Sequence, residues 1–275
     1  MATRGDDVLT LIGTMHIHDP RLTDAMAGLH DTIKGADILL VEATEAEEAA
    51  LHAQMTQNPQ MLLLPDGQTL PELLDADTWD QLVVAARAMN IPPFLLSKFQ
   101  PWYVMMSLSI PPCAMRDIAA GKRGLDHMIM QTARDNGVPI AAIEPYDTIF
   151  TVFQKGDLSQ QIATLRASLL PVDDRRALFA ALLDGYFAGQ IGQIMALEQI
   201  AAERSLGLSA AQARIMADQN AQALLYDRNI AWIDVINEMA KTHDTIVLAV
   251  GAAHFPAHQG VLMLLQNDGW TITPF

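Results

Sequence analysis

The chain has 275 residues, 51% of them hydrophobic and 18% charged, so it can bury a core of domain size and does not belong to the disordered class. Its formal net charge of −15 excludes a protein that tracks nucleic-acid phosphates and one that docks on an anionic membrane surface. Cys113 is the sole cysteine, which removes internal disulfides and cysteine-based zinc cages. Apolar stretches such as Val104–Met115, broken by Pro111 and Pro112, fall short of the ~20 residues of a membrane span.

The start, Met1–Asp7, contains no apolar signal-type segment, so the expected compartment is cytoplasmic, or periplasmic or secreted where an export segment has been removed. Val8–Ile12 reads as a buried parallel strand that stops at Gly13 and places His16 three residues further on. The spacing of Leu22, Met26, Leu29 and Ile33 predicts a helix over Arg21–Lys34. Asp37 then leads into strand Ile38–Val41, which ends on Glu42 and completes a β-α-β unit. Glu45–Gln57 is predicted helical, and Leu62–Leu64 with the turn at Pro65–Gly67 a strand or small hairpin. Thr69 and Glu72 have capping-box spacing before the next helix, and Trp79–Met89 forms another that ends ahead of Pro92 and Pro93. Phe99–Met115 gathers Trp102, Tyr103, Met105, Met106, Ile110 and Met115, which suits either a peptide-binding lip or a helix packed into the core. After a loop at Gly121–Gly124, Leu125–Asn136 is predicted helical with Gly137 as its stop, and Val138–Pro145 is a short buried strand ending at Glu144.

From Asp157 to Lys241 the pattern is helical throughout, with breaks near Pro171 and at Gly207–Ser209, and Ser209 caps a long helix running to Met239. On that helix Tyr226, Asn229, Ile233 and Ile236 share one face, and Leu225, Arg228, Trp232 and Val235 the next. Arg228 and Asn229 therefore interrupt an apolar stripe. A guanidinium there requires an anionic partner, with Glu42, Glu144 or a substrate carboxylate as the candidates. Ile246–His254 then repeats the first pattern, an apolar run stopping at Gly251 with His254 three residues later. Phe255 and Pro256 begin a last helix, Gly269 ends it, and Trp270–Phe275 forms a final strand able to pair across a homodimer.

The expected architecture is a single α/β (α+β) domain over residues 1–275, with a central mixed sheet flanked by helices and a large helical insertion at about 157–241. Two strands end in G-x-x-H and two in Glu, and ligands of open sheets gather at the carboxyl ends of strands. Two neutral imidazoles with one or two carboxylates make a site of borderline hardness suited to Zn, Mn, Co or Fe. His16 and His254 are the expected metal ligands, Glu42 a ligand or general base, and Glu144 holds the other carboxylate role. Arg228 is expected to stabilise an oxyanion or hold a substrate carboxylate, and Asn229 to orient a ligand or the scissile group. His18 and His258 are expected to support the site or lie exposed, while His30, His52, His127 and His243 have no supporting context. Cys113 has no identifiable base and is not expected to be a nucleophile.

G-T-M-H near the start, V-E on the second strand, G-L-D at Gly124–Asp126, I-E-P at Ile143–Pro145, R-N-x-x-W at Arg228–Trp232 and G-A-A-H-F near the end form an ordered set. Over nearly the whole chain this set resembles the TraB/GumN family, related to the Tiki proteases and more distantly to the erythromycin esterase and ChaN group. The resemblance implies a Tiki-like fold and metal-dependent peptide hydrolysis with manganese or cobalt. Family members commonly carry an export signal. The expected function is a metal-dependent hydrolase using a divalent ion (Mn, Co or Zn) on a peptide or small-molecule substrate. Two alternatives stand beside it: a haem or small-ligand binding protein, and a metal-free esterase-type hydrolase with histidine as general base.

Overall fold

A computed structural model describes residues 1–154, 156–206 and 209–274, with the side chains of residues 113, 198, 199, 201, 202 and 204–206 outside that description. The fold is α/β with a large helical content, built on a six-stranded mixed sheet. Its strands are β1 (Ala2–Arg4), β2 (Asp7–Thr14), β3 (Ile38–Val41), β4 (Ile140–Ala142), β5 (Thr245–Gly251) and β6 (Thr271–Ile272), in the order β4-β3-β5-β2-β1-β6. The four strands β4, β3, β5 and β2 are parallel to one another, whereas β1 runs antiparallel to both β2 and β6. The central strands β3 and β5 are buried on both faces, which is why Ile38–Val41 and Ile246–Val250 read as unbroken aliphatic runs.

The parallel register decides where the chemistry collects. Thr14 pairs with Gly251, Val41 with Ala249, and Val41 with Ala142, so four strands separated in sequence finish side by side on one edge. The two G-x-x-H turns and the two glutamates follow those ends. β1 was not expected from the sequence; it is added through a turn at Gly5, whose φ of +62° glycine adopts without strain. β6 is shorter than the predicted Trp270–Phe275, of which Phe275 lies outside the described residues, and forms the sheet's outer strand.

The chain divides into two compact units, one of residues 1–49, 117–148 and 219–275, the other of residues 50–116 and 149–218. The first contains the whole sheet. Helices Asp227–Met239 and Val261–Asn267 bury Trp232, Ile236, Val261 and Leu265 against Leu9, Leu40, Leu248 and Val250. Helices Leu22–Lys34 and Leu125–Asp135 pack on one another, and the latter also meets β3, β4 and β5.

The second unit is helical, with a core of Leu82, Ala85, Leu96, Val104, Leu108 and Leu165. The aromatic and Met-rich segment forms helix Pro101–Ser109 and helix Pro112–Ala119. Trp102, Val104 and Leu108 are buried, and Trp102 meets Phe150 edge to face at 5.5 Å, so the segment's main role is core packing.

The compact units are discontinuous in sequence. Helix Asp227–Met239 belongs with the sheet because its buried stripe of Arg228, Asn229, Trp232 and Ile236 is satisfied there, while residues 50–116 join the helical unit. The predicted long helix from Ser209 is also divided, since a π-turn at Gln222–Tyr226 separates Ala210–Ala221 from Asp227–Met239. Ser209 does cap: its N–H donates to Gln212 Oε1 at 3.1 Å and its Oγ accepts from the Gln212 N–H at 3.4 Å. The rest of the predicted break, residues 207 and 208, lies outside the described residues. In place of a strand, Leu62 ends a short 3₁₀ turn, Pro59–Leu62, and Leu63 makes a single bridge to Phe99. No helix among the described residues is long and apolar enough to cross a membrane.

Candidate active site

Arg228 is the centre of the strand-end cluster, and it is only 7% exposed. Its Nε donates to Glu144 Oε2 at 2.9 Å, and its Nη2 donates to Glu144 Oε1 and to Glu42 Oε2, both at 2.5 Å. Nη1 donates to the carbonyl of Leu224, inside the π-turn, at 2.9 Å. Trp232 Nε1–H completes Glu144 by donating to Oε2 at 3.0 Å, so both oxygens of that carboxylate are engaged. Glu42 keeps one oxygen on the guanidinium and accepts the Gly251 N–H at 2.7 Å with the other. The partner question raised by Arg228 is thus answered by both glutamates.

Asn229, one residue on, fixes His254. Its Nδ2 donates to the carbonyls of His254 at 3.2 Å and Gln259 at 2.9 Å, leaving Oδ1 as acceptor. His254 Nδ1 lies 2.6 Å from that oxygen, so Nδ1 carries the proton and Nε2 keeps its lone pair. Nε2 accepts from Arg228 Nη1 at 3.3 Å and stands 3.9 Å from Glu42 Oε2. Trp232 covers the imidazole at a ring separation of 4.3 Å. Burial pushes His254 down to about 4, with Arg228 and His16 acting the same way against Glu42, so the ring is neutral at physiological pH.

His16 follows the same plan with a carboxylate in place of the amide. Its Nδ1 lies 2.8 Å from Asp126 Oδ2, leaving Nε2 available, and its side chain is 64% exposed. The hydrogen bond to Asp126 raises His16 to about 9. That bond, with the nearby charges of Asp126 and Glu42, outweighs the opposing influence of burial. Asp126 Oδ2 is also 3.3 Å from His127 Nδ1, and His127 Nε2 is 3.1 Å from Glu48 Oε2. Burial works against the charge on Asp126, but its two histidine partners hold it well below the usual carboxylate range. His127 is raised to about 10 by Asp126 and Glu48.

Asp126, His127 and Glu48 carried no assigned role in the sequence reading, although Asp126 stood in the G-L-D triplet. The signal that finds them is Gly124. A Cβ there would lie 2.2 Å from the Met15 carbonyl oxygen and 2.4 Å from the His16 carbonyl carbon, and Leu125 N–H donates to Met15 O at 2.9 Å. Glycine lets helix Leu125–Asp135 start against the backbone of the first G-x-x-H turn, and its second residue then reaches His16. Gly124→Ala is expected to cost about 1–3 kcal/mol by overpacking, measured as a lowered urea midpoint at constant m. A midpoint equal to that of wild type would show that the contact is not required.

Gly13 serves the pairing of the two turns in the same way, since a Cβ on it would meet Ala252 Cβ at 3.0 Å. Burial opposes the ionised form of Glu42, but His254, His16, Arg228 and the Gly251 N–H together hold its carboxyl below the usual range. With His254 neutral, His16, Arg228 and the Gly251 N–H carry that effect at pH 7. His18 lies 3.7 Å from Asp117, and His258 packs edge-on to Tyr226 at 5.4 Å, so both stand beside other partners. Nothing bears on Cys113, whose side chain lies outside the described ones.

The donor types suit a divalent ion of borderline hardness: two imidazoles with Nδ1 tied, the Nε2 of His254 shared with Arg228 and that of His16 open to a ligand once its proton is lost, and a carboxylate nearby. Among the described residues no three of His, Cys, Asp and Glu stand together as a ready ligand cluster. Between Glu42 and His254 the bridging cation is the Arg228 guanidinium, which bonds both.

No curated protein and no solved structure matches the chain. A family model does, that of the TraB/PrgY/gumN family, over residues 1–274. With the strand-end residues on one edge and the match spanning essentially its full length, the chain belongs to the TraB/PrgY/gumN family.

Proposed function

We propose that the protein is a metal-dependent hydrolase acting on a peptide or another acyl substrate. The observation that carries this reading is the paired histidine design, in which His16 and His254 each tie Nδ1 to a side-chain oxygen, of Asp126 and Asn229, and turn Nε2 away from that bond, His254 Nε2 standing 3.9 Å from Glu42 Oε2. Metal-binding imidazoles are held in this way, with the far nitrogen bonded to an oxygen that fixes ring and tautomer. His16 Nε2, His254 Nε2 and Glu42 Oε2 would hold the ion, with Mn, Co or Zn as the candidates. When bound, such an ion lowers the pKa of a water toward ~7 and polarises a carbonyl oxygen.

The chain's own residues do the rest. Arg228 presents a positive charge at His254 Nε2 and, with its N–H groups given to Glu42, Glu144, Leu224 O and His254, would act on a substrate oxyanion through that charge or through the Nη1–H it now shares with His254. Glu144, with both oxygens engaged by Arg228 and Trp232, is a positioning residue for that guanidinium. Asn229 holds His254 in its Nδ1–H form. Glu42 is the one carboxylate of the cluster that combines a place beside His254 with a bond to Arg228, which suits a ligand that also accepts a proton.

The test is elemental analysis joined to a peptide-cleavage assay. Wild-type protein is expected to retain close to one divalent ion per chain, and His16→Ala and His254→Ala to retain far less, with cleavage abolished by chelation and restored by Mn, Co or Zn. A metal-free sample whose activity ignores all three ions would sink the reading. A second reading rests on the His16–Asp126 pair, which also has the form of an oriented general base. It predicts activity that survives exhaustive chelation and rises with pH through about 9, where His16 loses its proton.

A further inference from the structure

The helical unit contains an apolar cavity of about 490 Å³, within the range of about 300–1,000 Å³ of small-ligand sites. Met105, Leu108, Leu178, Phe179 and Leu182 supply much of its wall. The chain carries 32 acidic and 17 basic residues, yet among the described residues no acid lines this cavity and three arginines do, Arg116, Arg175 and Arg176. The local charge is therefore opposite to that of the protein as a whole.

These guanidiniums lack carboxylate partners of consequence. Arg116 and Arg175 make no ion pair among the described residues, and the one bond of Arg176, to Asp173 at 3.4 Å, joins side chains 77% and 91% exposed. Exposed pairs of that kind contribute little. Arg175 is half-buried, and burial lowers its pKa with no opposing influence. A cation drawn partly out of water without a counter-charge is a destabilising feature that an anion would relieve.

The neutral polar side chains of the wall are Ser109 and Ser168, and each already donates its hydroxyl to a carbonyl of its own helix, Met106 O and Leu165 O, both at 2.7 Å. An apolar peptide entering the cavity would bring more amide N–H groups than the two serine oxygens could accept, at a cost for each one left unpaired. An acyl chain brings none. We propose that this cavity binds a single-chain carboxylate of the fatty-acid type, with the chain against the apolar wall and the carboxylate on the arginines.

The experiment uses the full chain and a fluorescent fatty acid, cis-parinarate, displaced by decanoate, by decan-1-ol or by an apolar octapeptide with a free carboxyl terminus. Saturable binding of one probe per chain is expected. Decanoate should displace it about tenfold better than decan-1-ol, as the loss of a charge-assisted bond implies, and the octapeptide should be weaker still. The double variant Arg116→Gln/Arg176→Gln changes exposed side chains only, so it should keep its far-UV circular dichroism while binding decanoate about tenfold more weakly and decan-1-ol unchanged. Equal displacement by acid and alcohol, a double variant that binds decanoate as wild type does, a peptide that outcompetes decanoate, or absence of saturable probe binding would each overturn the proposal.

Discussion

Replacing Arg228 with methionine is expected to destabilise the metal-free protein by about 3–5 kcal/mol at neutral pH, the loss typical of removing one partner of a buried ion pair. Arg228 is 7% exposed and bonds both Glu42 and Glu144, whose side chains are 18% and 10% exposed, so the change leaves two like charges close together and largely out of water. Trp232 N–H and Gly251 N–H remain as donors, one to each carboxylate. Those bonds offset only part of the desolvation.

The sign of the pH dependence separates this cause from a simple packing loss. In the wild type Glu42 titrates below its ordinary value of 4.5, so its contribution to stability is complete above that pH and is lost as pH falls through the lower folded value. Without Arg228, burial acts on Glu42 with less to oppose it. A carboxyl raised above its unfolded value favours the folded state at low pH and loses that contribution as pH rises. Urea midpoints in the presence of chelator should therefore show the gap between variant and wild type narrowing from pH 7.5 to pH 5. A gap of less than about 1 kcal/mol at pH 7.5, the size of an exposed pair, or one that is constant with pH, would mean that the guanidinium is not the counter-charge for the cluster. Adding Glu144→Gln makes the cycle sharper. It should destabilise the wild type but stabilise the Arg228→Met protein, because the same carboxylate is a partner in one and an unpaired charge in the other.

Residue patterns specified β3 and β5 closely, because double-sided burial leaves an aliphatic signature: Ile38–Val41 has its predicted bounds and Ile246–Val250 lies within β5, whereas β4 keeps only Ile140–Ala142, partly buried, of the predicted Val138–Pro145. The strand-end residues were legible for the same reason, since Gly13, Glu42, Glu144 and Gly251 each interrupt or end such a run. What local pattern could not express was pairing. Ala2–Arg4 is too short to show periodicity and becomes a strand through its two neighbours, β2 and β6. The π-turn at Gln222–Tyr226 leaves the chain helical on both sides, so helical spacing carried across it gave one long helix where there are two. The partition into units was hidden as well, because membership depends on which core a helix face joins. Arg228, Asn229 and Trp232 took their faces from spacing, and Glu42 and Glu144 stood among the expected partners of Arg228, but only the sheet edge showed that both serve at once, that Trp232 bonds Glu144 and that Asn229 holds His254. Asp126 was the main loss: His16 is 110 residues away in sequence, and the contact that joins them runs through the missing side chain of Gly124.

That contact leads to the second large effect, on the proposed metal site. Asp126→Asn is expected to weaken divalent-ion binding about 10–100-fold, the usual result of removing the oxygen that orients a ligating imidazole. Asparagine is close in shape, but it can turn either group toward His16 Nδ1. If its oxygen faces the ring, Nε2 stays free without the help of a full negative charge. If its NH₂ faces the ring, the proton moves to Nε2 and blocks it. The pH profile distinguishes this from a structural defect. In the wild type Asp126 raises His16 to about 9, so a proton competes with the ion below that pH and affinity climbs as pH rises toward it. In the variant the imidazole moves back toward its ordinary 6.5, so the climb between pH 7 and 9 flattens and the deficit is largest at the alkaline end. A titration with Mn, Co and Zn at pH 7 and pH 9, on variant and wild type of matched urea stability, reads both quantities. Equal affinities, or a deficit that is the same at the two pH values, would remove Asp126 from the role of positioning His16.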